Sequence, residues 1–178
     1  MLIVLDSVAN GSDNFGMMII RDATPEDLPA TVDLHVRTWQ AAYRGLVPDA
    51  YLDAIDPAEW LAVQRGIIGT PGRYRILALI DREIVGFASF GDDREDPTVA
   101  EVYAIYVDPA RQGHGVGRAL MDEAVSRLAG RATRLWCAEG NAATRRFYER
   151  YGFVADGATK VFDRDGLSLP TLRYTLPA

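Results

Sequence analysis

Apolar positions along this chain switch between a period near two and a period near 3.6, and each switch marks an element. Met17-Met18-Ile19-Ile20-Arg21 reads as a first strand. Thr24-Pro25-Glu26-Asp27 has the chemistry of a helix start, with Thr as cap, Pro in the first turn and two acids beside it. Leu28, Val32, His35, Val36 and Trp39 then recur at helical spacing. Gly45 and Pro48 break that pattern, and two short helices follow near residues 49–54 and 57–67. Residues 73–80 and 84–91 (RYRILALI and IVGFASFG) read as two strands around a tight turn at Asp81-Arg82-Glu83.

The chain is organised around the stretch from Glu101 to Leu120, EVYAIYVDPARQGHGVGRAL. Val102, Tyr103, Ile105, Tyr106 and Val107 suit a buried strand, which Asp108-Pro109 stops. Gly113, Gly115 and Gly117 alternate with His114 and Val116. From there Val116, Ala119, Leu120, Ala124, Val125 and Leu128 recur as a helix. Arg134 to Ala138 is another buried strand, and Asn141 caps a helix that Gly152 ends. Residues 153–163 and 169–176 close the chain as two strands around Arg164-Asp165-Gly166. Residues 1–16 read as an extension: LIVL has no basic stretch before it, and Asn10-Gly11-Ser12-Asp13-Asn14 is turn-rich. A single domain over 17–178 is expected to follow.

Three glycines at a helix start let the backbone approach a ligand and adopt conformations closed to other residues. The free N–H groups of the first turn and the positive end of the helix dipole then favour an anion, most naturally a phosphate. The same glycines also suit a plain strand-to-helix turn. A P-loop needs a Lys after its glycines, and none follows here. A dinucleotide fingerprint, G-x-G-x-x-G, meets Arg118 at its last position when counted from Gly113, and Leu120 when counted from Gly115. Neither template fits. What Arg111-Gln112-Gly113-His114-Gly115-Val116-Gly117 does carry is an R/Q-x-x-G-x-G signature, opened by Gln112 and closed by Gly115 and Gly117. It resembles the acetyl-CoA loop of the GNAT N-acetyltransferase superfamily. Further on, the run from Asn141 to Phe153 is similar to the family's second motif, N-x-x-A-x-x-F-Y-x-x-x-G-F, with Thr144 alone departing where Ala is usual. The resemblance covers residues 17 to 176 and is strongest from 98 to 154.

This resemblance implies an α/β (α+β) GNAT fold, a splayed, mixed, mostly antiparallel sheet of about seven strands flanked by helices. It implies acetyl-CoA as cosubstrate. The loop of Arg111, Gln112, Gly113, His114, Gly115, Val116, Gly117 and Arg118 would hold the pyrophosphate. The backbone of Ile105, Tyr106 and Val107, on a bulged strand that splays from its neighbour, would pair with pantetheine. Asn141 matches a position that contacts pantetheine and also suits a helix cap. Arg111, Arg118, Arg145 and Arg146 are candidates for the 3′-phosphate, or a solvated face.

Two residues carry the chemistry in this reading. Tyr148 matches the tyrosine that faces the CoA sulfur as general acid. Glu101 matches a glutamate that serves several members as general base, where others use water chains or backbone carbonyls. Strand alternation would set Glu101 on one face with Tyr103 and Ile105. The early helices line the acceptor pocket in this family, which makes His35, Trp39, Tyr43 and Trp60 substrate-side candidates, although an aromatic stripe at helical spacing equally suits a core; Tyr103 of the central strand is a further one. Tyr151 and Cys137 read as structural. The family reaction is direct transfer in a ternary complex, to a small-molecule amine or a protein N-terminus or lysine. The alternative is a catalytically idle acyl-CoA-binding or dimerisation module of the same fold; dimers are common in the family.

Composition narrows the field. A net charge of −6 over 178 residues argues against a nucleic-acid surface, which needs a basic footprint. One cysteine makes no internal disulfide, and with two histidines it suggests no metal cluster. No run approaches the ~20 apolar residues of a membrane span. The expectation is a cytoplasmic enzyme without metal, nucleic-acid or membrane partners.

Overall fold

In the computed structural model, which describes residues 3–5, 17–164 and 166–178, the apolar runs form one eight-stranded sheet. Its strands are β1 (Ile3–Leu5), β2 (Met18–Asp22), β3 (Arg73–Ile80), β4 (Glu83–Asp92), β5 (Ala100–Val107), β6 (Thr133–Ala138), β7 (Val154–Arg164) and β8 (Leu167–Leu176). They lie in the order β1-β2-β3-β4-β5-β6-β8-β7, and only β5 and β6 run parallel. The expected strands are all present. β1 adds an eighth inside the segment read as an extension, pairing Leu5 with Met18. The turn-rich stretch of that segment lies outside the described residues, as does Asp165 of the last hairpin. Asp81 and Arg82, at φ 50 and 68, make the two-residue turn between β3 and β4.

Three helices cover one face: α1 (Leu28–Tyr43), α2 (Asp49–Asp53) and α3 (Pro57–Ile67). The start read at Thr24 opens as a 3-10 turn over Pro25–Asp27. The Thr24 N–H donates to Asp27 Oδ2 at 2.8 Å, and Arg21 donates to both Asp27 oxygens at 2.7 Å. Val32, Trp39, Leu52 and Trp60 pack there with Leu167 and Leu169, which β8 swings over to them. The other face carries α4 (Val116–Arg127) and α5 (Ala142–Tyr151). Here Leu120, Met121 and Tyr148 join Ile76, Phe90, Val102 and Leu135 in the central core. Burial of one such leucine contributes about 2 kcal/mol. Among the described residues no helix is long and apolar enough to cross a membrane.

Two irregularities in the sheet set the surroundings of β5. β5 and β6, joined by α4 as a parallel pair must be, meet only at Ala100↔Thr133 and Glu101↔Arg134 before they part. On the other side of β5, Ser89 opposes Ala104 while Phe90 opposes Val102, so Tyr103 is an extra, bulged residue. The bulge resets the alternation. Val102 and Ile105, three positions apart, both pack in the α4-side core. Glu101, next to Val102 in the pleat, therefore does not share a face with Ile105 as regular alternation would require.

Candidate active site

Beyond the seam, β5 from Val102 to Val107 has no strand partner on its β6 side among the described residues. A cleft of about 730 Å³ opens along it. Ile105 and Val107 form one wall, and Gln112, Gly113, Gly115, Gly117 and Arg118 form the mouth. Ala143, Thr144, Phe147, Arg150 and Tyr151 of α5 form the opposite wall.

The mouth is built by its backbone. Asp108 Oδ1 accepts from the Ala110 N–H at 2.9 Å, and Gln112 Nε2 donates to the Val107 carbonyl at 3.2 Å, so the loop folds back on the strand it leaves. Gly113 and Gly115 take left-handed conformations at φ 80 and 82, and a Cβ at either would meet no heavy atom within 4 Å. Gly115 caps α4. The loop thus presents an open, side-chain-free surface beside the orphan N–H groups of a twelve-residue helix, a shape and polarity that suit a pyrophosphate. The open edge of β5 offers backbone groups to the amides of an extended ligand, as a strand partner would.

Sequence reading placed most of this cleft but not all of it. Val116, 1% exposed, turns its side chain into the core, while its backbone N–H stays in the first turn of α4 behind the mouth. Tyr106 turns its side chain to the α1 face, where its hydroxyl accepts from Trp39 Nε1 at 2.9 Å. Arg111 and His114 stand on the loop without lining the cleft, and Asn141 caps α5, accepting from the Thr144 N–H at 3.1 Å. Of the arginines, Arg118 lines the mouth; Arg145 and Arg146 do not, and Arg150 does. Tyr151, read as structural, is a cleft wall, its phenol pushed up to about 12 by burial and by Asp122. The α5 wall was missed although Ala143, Thr144, Phe147, Arg150 and Tyr151 recur at helical spacing on one face, which is the signal that finds them.

Tyr148 lies on another side of α5, 7% exposed and outside the cleft lining. Burial holds its pKa far above that of free tyrosine, reinforced by Cys137 of β6, Tyr106 of β5 and Tyr43 of α1. Its ring packs among Phe147, Phe153 and Tyr174, with centroids 5.4, 6.0 and 6.3 Å away. Cys137 is buried too, and its thiol, pushed up to about 12, is a neutral core group, as the sequence suggests. Glu101 is 4% exposed at the seam. Burial raises its pKa, Arg94 at 3.4 Å opposes the rise, and Asp93 adds to it.

The substrate-side candidates separate into two groups. His35 lies between Trp60 and Tyr106, with ring centroids 4.5 and 4.4 Å away, and Trp39 stacks on Tyr43 at 4.3 Å. These form one aromatic cluster behind the gap. Tyr103 stands apart from it: its hydroxyl donates to the Asp92 carbonyl, and Arg73 and Arg94 lie 5.4 and 4.8 Å from its ring.

Comparison with known proteins identifies the family and the fold. Residues 32–153 match the Acetyltransferase (GNAT) family. A Mycobacterium tuberculosis protein named as a probable N-acetyltransferase is 30% identical over 165 residues, covering 88% of this chain and 92% of its own. Among solved structures, the PaiA N-acetyltransferase of Thermoplasma acidophilum, in complex with coenzyme A, superposes with a TM-score of 0.67 at 21% identity over 87% of this chain and 97% of its own. The yncA protein of Salmonella typhimurium, solved with its cofactor acetyl-CoA, gives 0.62 at 26% identity over 90% and 93%. With a family match over more than half its length and a relative matched nearly end to end, the chain belongs to the GNAT family and is an acetyltransferase.

Proposed function

We propose that this enzyme moves the acetyl group of acetyl-CoA directly to a primary amine, with both substrates bound at once on opposite sides of the sheet. The observation that carries the reading is the two-pair seam. It leaves a gap between β5 and β6, with the glycine-mouthed cleft on one side and the aromatic cluster on the other.

Residues Gly113 to Arg118 would hold the pyrophosphate through backbone N–H groups, Ile105 and Val107 would hold the pantetheine arm, and Arg118 and Arg150 are the cations that line the cleft. Acetyl-CoA, when bound, supplies an acyl thioester whose sulfur leaves as a thiolate. Glu101 takes a proton from the acceptor ammonium, directly or through one water, so that a neutral nitrogen can attack. Its raised pKa brings it closer to the working pH than an ordinary carboxylate. Tyr148 stays protonated at neutral pH, and in this reading its hydroxyl gives that proton to the departing sulfur as negative charge grows there. The lone thiol suits a reducing compartment, and we assign the reaction to the cytoplasm.

A thermal-shift titration with acetyl-CoA, CoA, ATP and NAD, followed by free-thiol release with an amine panel, tests the reading. A dose-dependent rise with acetyl-CoA and CoA alone, and thiol release on adding an amine, is expected. A rise only with ATP or NAD overturns it, and CoA binding without turnover on any amine would leave an idle binding module.

A further inference from the structure

Arg75, the third residue of β3, lies on the face covered by α1 and α3 and has no task in acetyl transfer as proposed. Its guanidinium lies 5.0 Å from the ring of Phe87, which is buried 5.4 Å from both His35 and Tyr106. Arg75 Nε donates to Ser89 Oγ at 2.8 Å, and Nη2 donates to Gln64 Oε1 of α3. Both partners are neutral. Among the described residues no carboxylate pairs with this arginine. Burial pulls its pKa down to about 10, and no anion offsets the pull. A guanidinium has five N–H donors, and these two bonds leave most of them unused. A desolvated cation without a counter-ion is costly to keep, unless a ligand supplies the anion.

Its place in the sheet says which ligand. The register row Arg75↔Ser89↔Ala104 runs straight from β3 across β4 to β5, just past the bulge. Neighbouring strands are about 4.8 Å apart, and the guanidinium already reaches over β4, so roughly one strand spacing separates its charge from β5. Ser89 and Ala104 are small and leave the floor low along that row. Glu101 stands at the seam on β5, and the rings of His35, Trp60 and Tyr106 wall the region. Arg73 and Arg94 crowd Tyr103 nearby. Around Tyr103 the cations face Glu101, Asp92 and Asp93: Arg94 pairs with Glu101 and Arg134 with Asp93, whereas Arg73 and Arg75 pair with no carboxylate among the described residues.

We propose that Arg75 is an anion subsite of the acceptor pocket, and that the acceptor carries a carboxylate next to the amine it offers, as an α-amino acid with an apolar side chain does. The carboxylate forks onto Arg75, the amine points to Glu101 and the gap, and the side chain packs on the aromatic wall. This rests on the acetyl-transfer reading, and the test keeps the two apart.

The test measures thiol release and calorimetric binding for L-methionine, L-leucine and L-phenylalanine, each beside its decarboxylated amine and its carboxamide. The wild type should favour the carboxylates at least tenfold in kcat/KM. Arg75→Gln should raise KM for the carboxylates at least tenfold, move kcat little and leave the plain amines unchanged. Arg75→Lys, which keeps the charge without the fork, should fall between. Equal use of acids and amines by the wild type, or a loss in Arg75→Gln that is the same for both, overturns the subsite. If amines are acetylated while the amino acids neither bind nor react, the subsite falls and the acetyl-transfer reading stands. If the amino acids bind with Arg75-dependent affinity but acetyl-CoA is not turned over, the subsite stands and that reading falls.

Discussion

Glu101 and Tyr148 have pKa values raised by the same cause, burial, with opposite chemical use. In the proposed reaction a carboxylate made more basic would accept a proton more readily, and a phenol made less acidic would stay protonated until the thiolate forms. Glu101→Gln should lower kcat on the order of a hundredfold and remove the low-pH limb of the rate profile, because that limb falls as pH drops through the raised carboxyl pKa. The same variant should melt higher than wild type at pH 7. A raised folded-state pKa means that Glu101 supports the fold in its protonated form, and this support is lost as pH rises through that pKa, so the ionised form is carried at a cost. Its Arg94 partner, half exposed at 3.4 Å, offsets little of that. An unchanged melting point together with an unchanged pH profile would remove Glu101 from the base role. Tyr148→Phe should reduce kcat about tenfold or more at unchanged acetyl-CoA affinity, since only a hydroxyl outside the cleft lining is deleted. Equal losses in kcat and in affinity would point to packing instead.

At the scale of elements, strands and helices were legible because each has a period and a punctuation mark: Thr24 before α1, Asp108-Pro109 after β5, Gly152 after α5. The site was legible in its backbone parts, where Gly113 and Gly115 need left-handed conformations. It was less legible in its facings. The bulge at Tyr103 is set by register against β4, which no local pattern reports, and it moves Glu101 off the face of Ile105. Arg75 escaped notice because its significance is the absence of a nearby acid, a tertiary property. The start of α1 gives its own prediction. Asp27, hydrogen-bonded first by Arg21 and then by Thr24, has its pKa lowered to about 2. Its stabilisation is present above the ordinary carboxylate pKa and is lost as pH falls through about 2. Wild type should therefore exceed Asp27→Asn by about 1–2 kcal/mol at pH 7 in urea unfolding, with a gap that shrinks below about pH 4. A gap that does not change with pH would assign the loss to the helix cap alone.

Across the whole molecule, ligand and sheet are expected to complete one another. Hydrogen exchange with CoA present should slow at the outer edge of β5 beyond Tyr103, at Gly113 to Arg118 and at the start of α5, and leave β2 and β3 as they were. Protection spread evenly over the sheet would place the ligand elsewhere. The seam has a further bearing. Because β5 and β6 share only two residue pairs, the chain is two ribbons, one ending with α4 and one beginning with β6, held together mainly by side chains, in the central core and where Leu167 and Leu169 meet α1 to α3. The link between them, Ala129-Gly130, is an exposed turn with both residues at positive φ. A break placed there would sever no ladder. The two fragments, 1–130 and 131–178, are therefore natural halves of a split reporter, whose reassembly from separate polypeptides would rebuild the cleft, and with it a signal that depends on both pieces being in the same place.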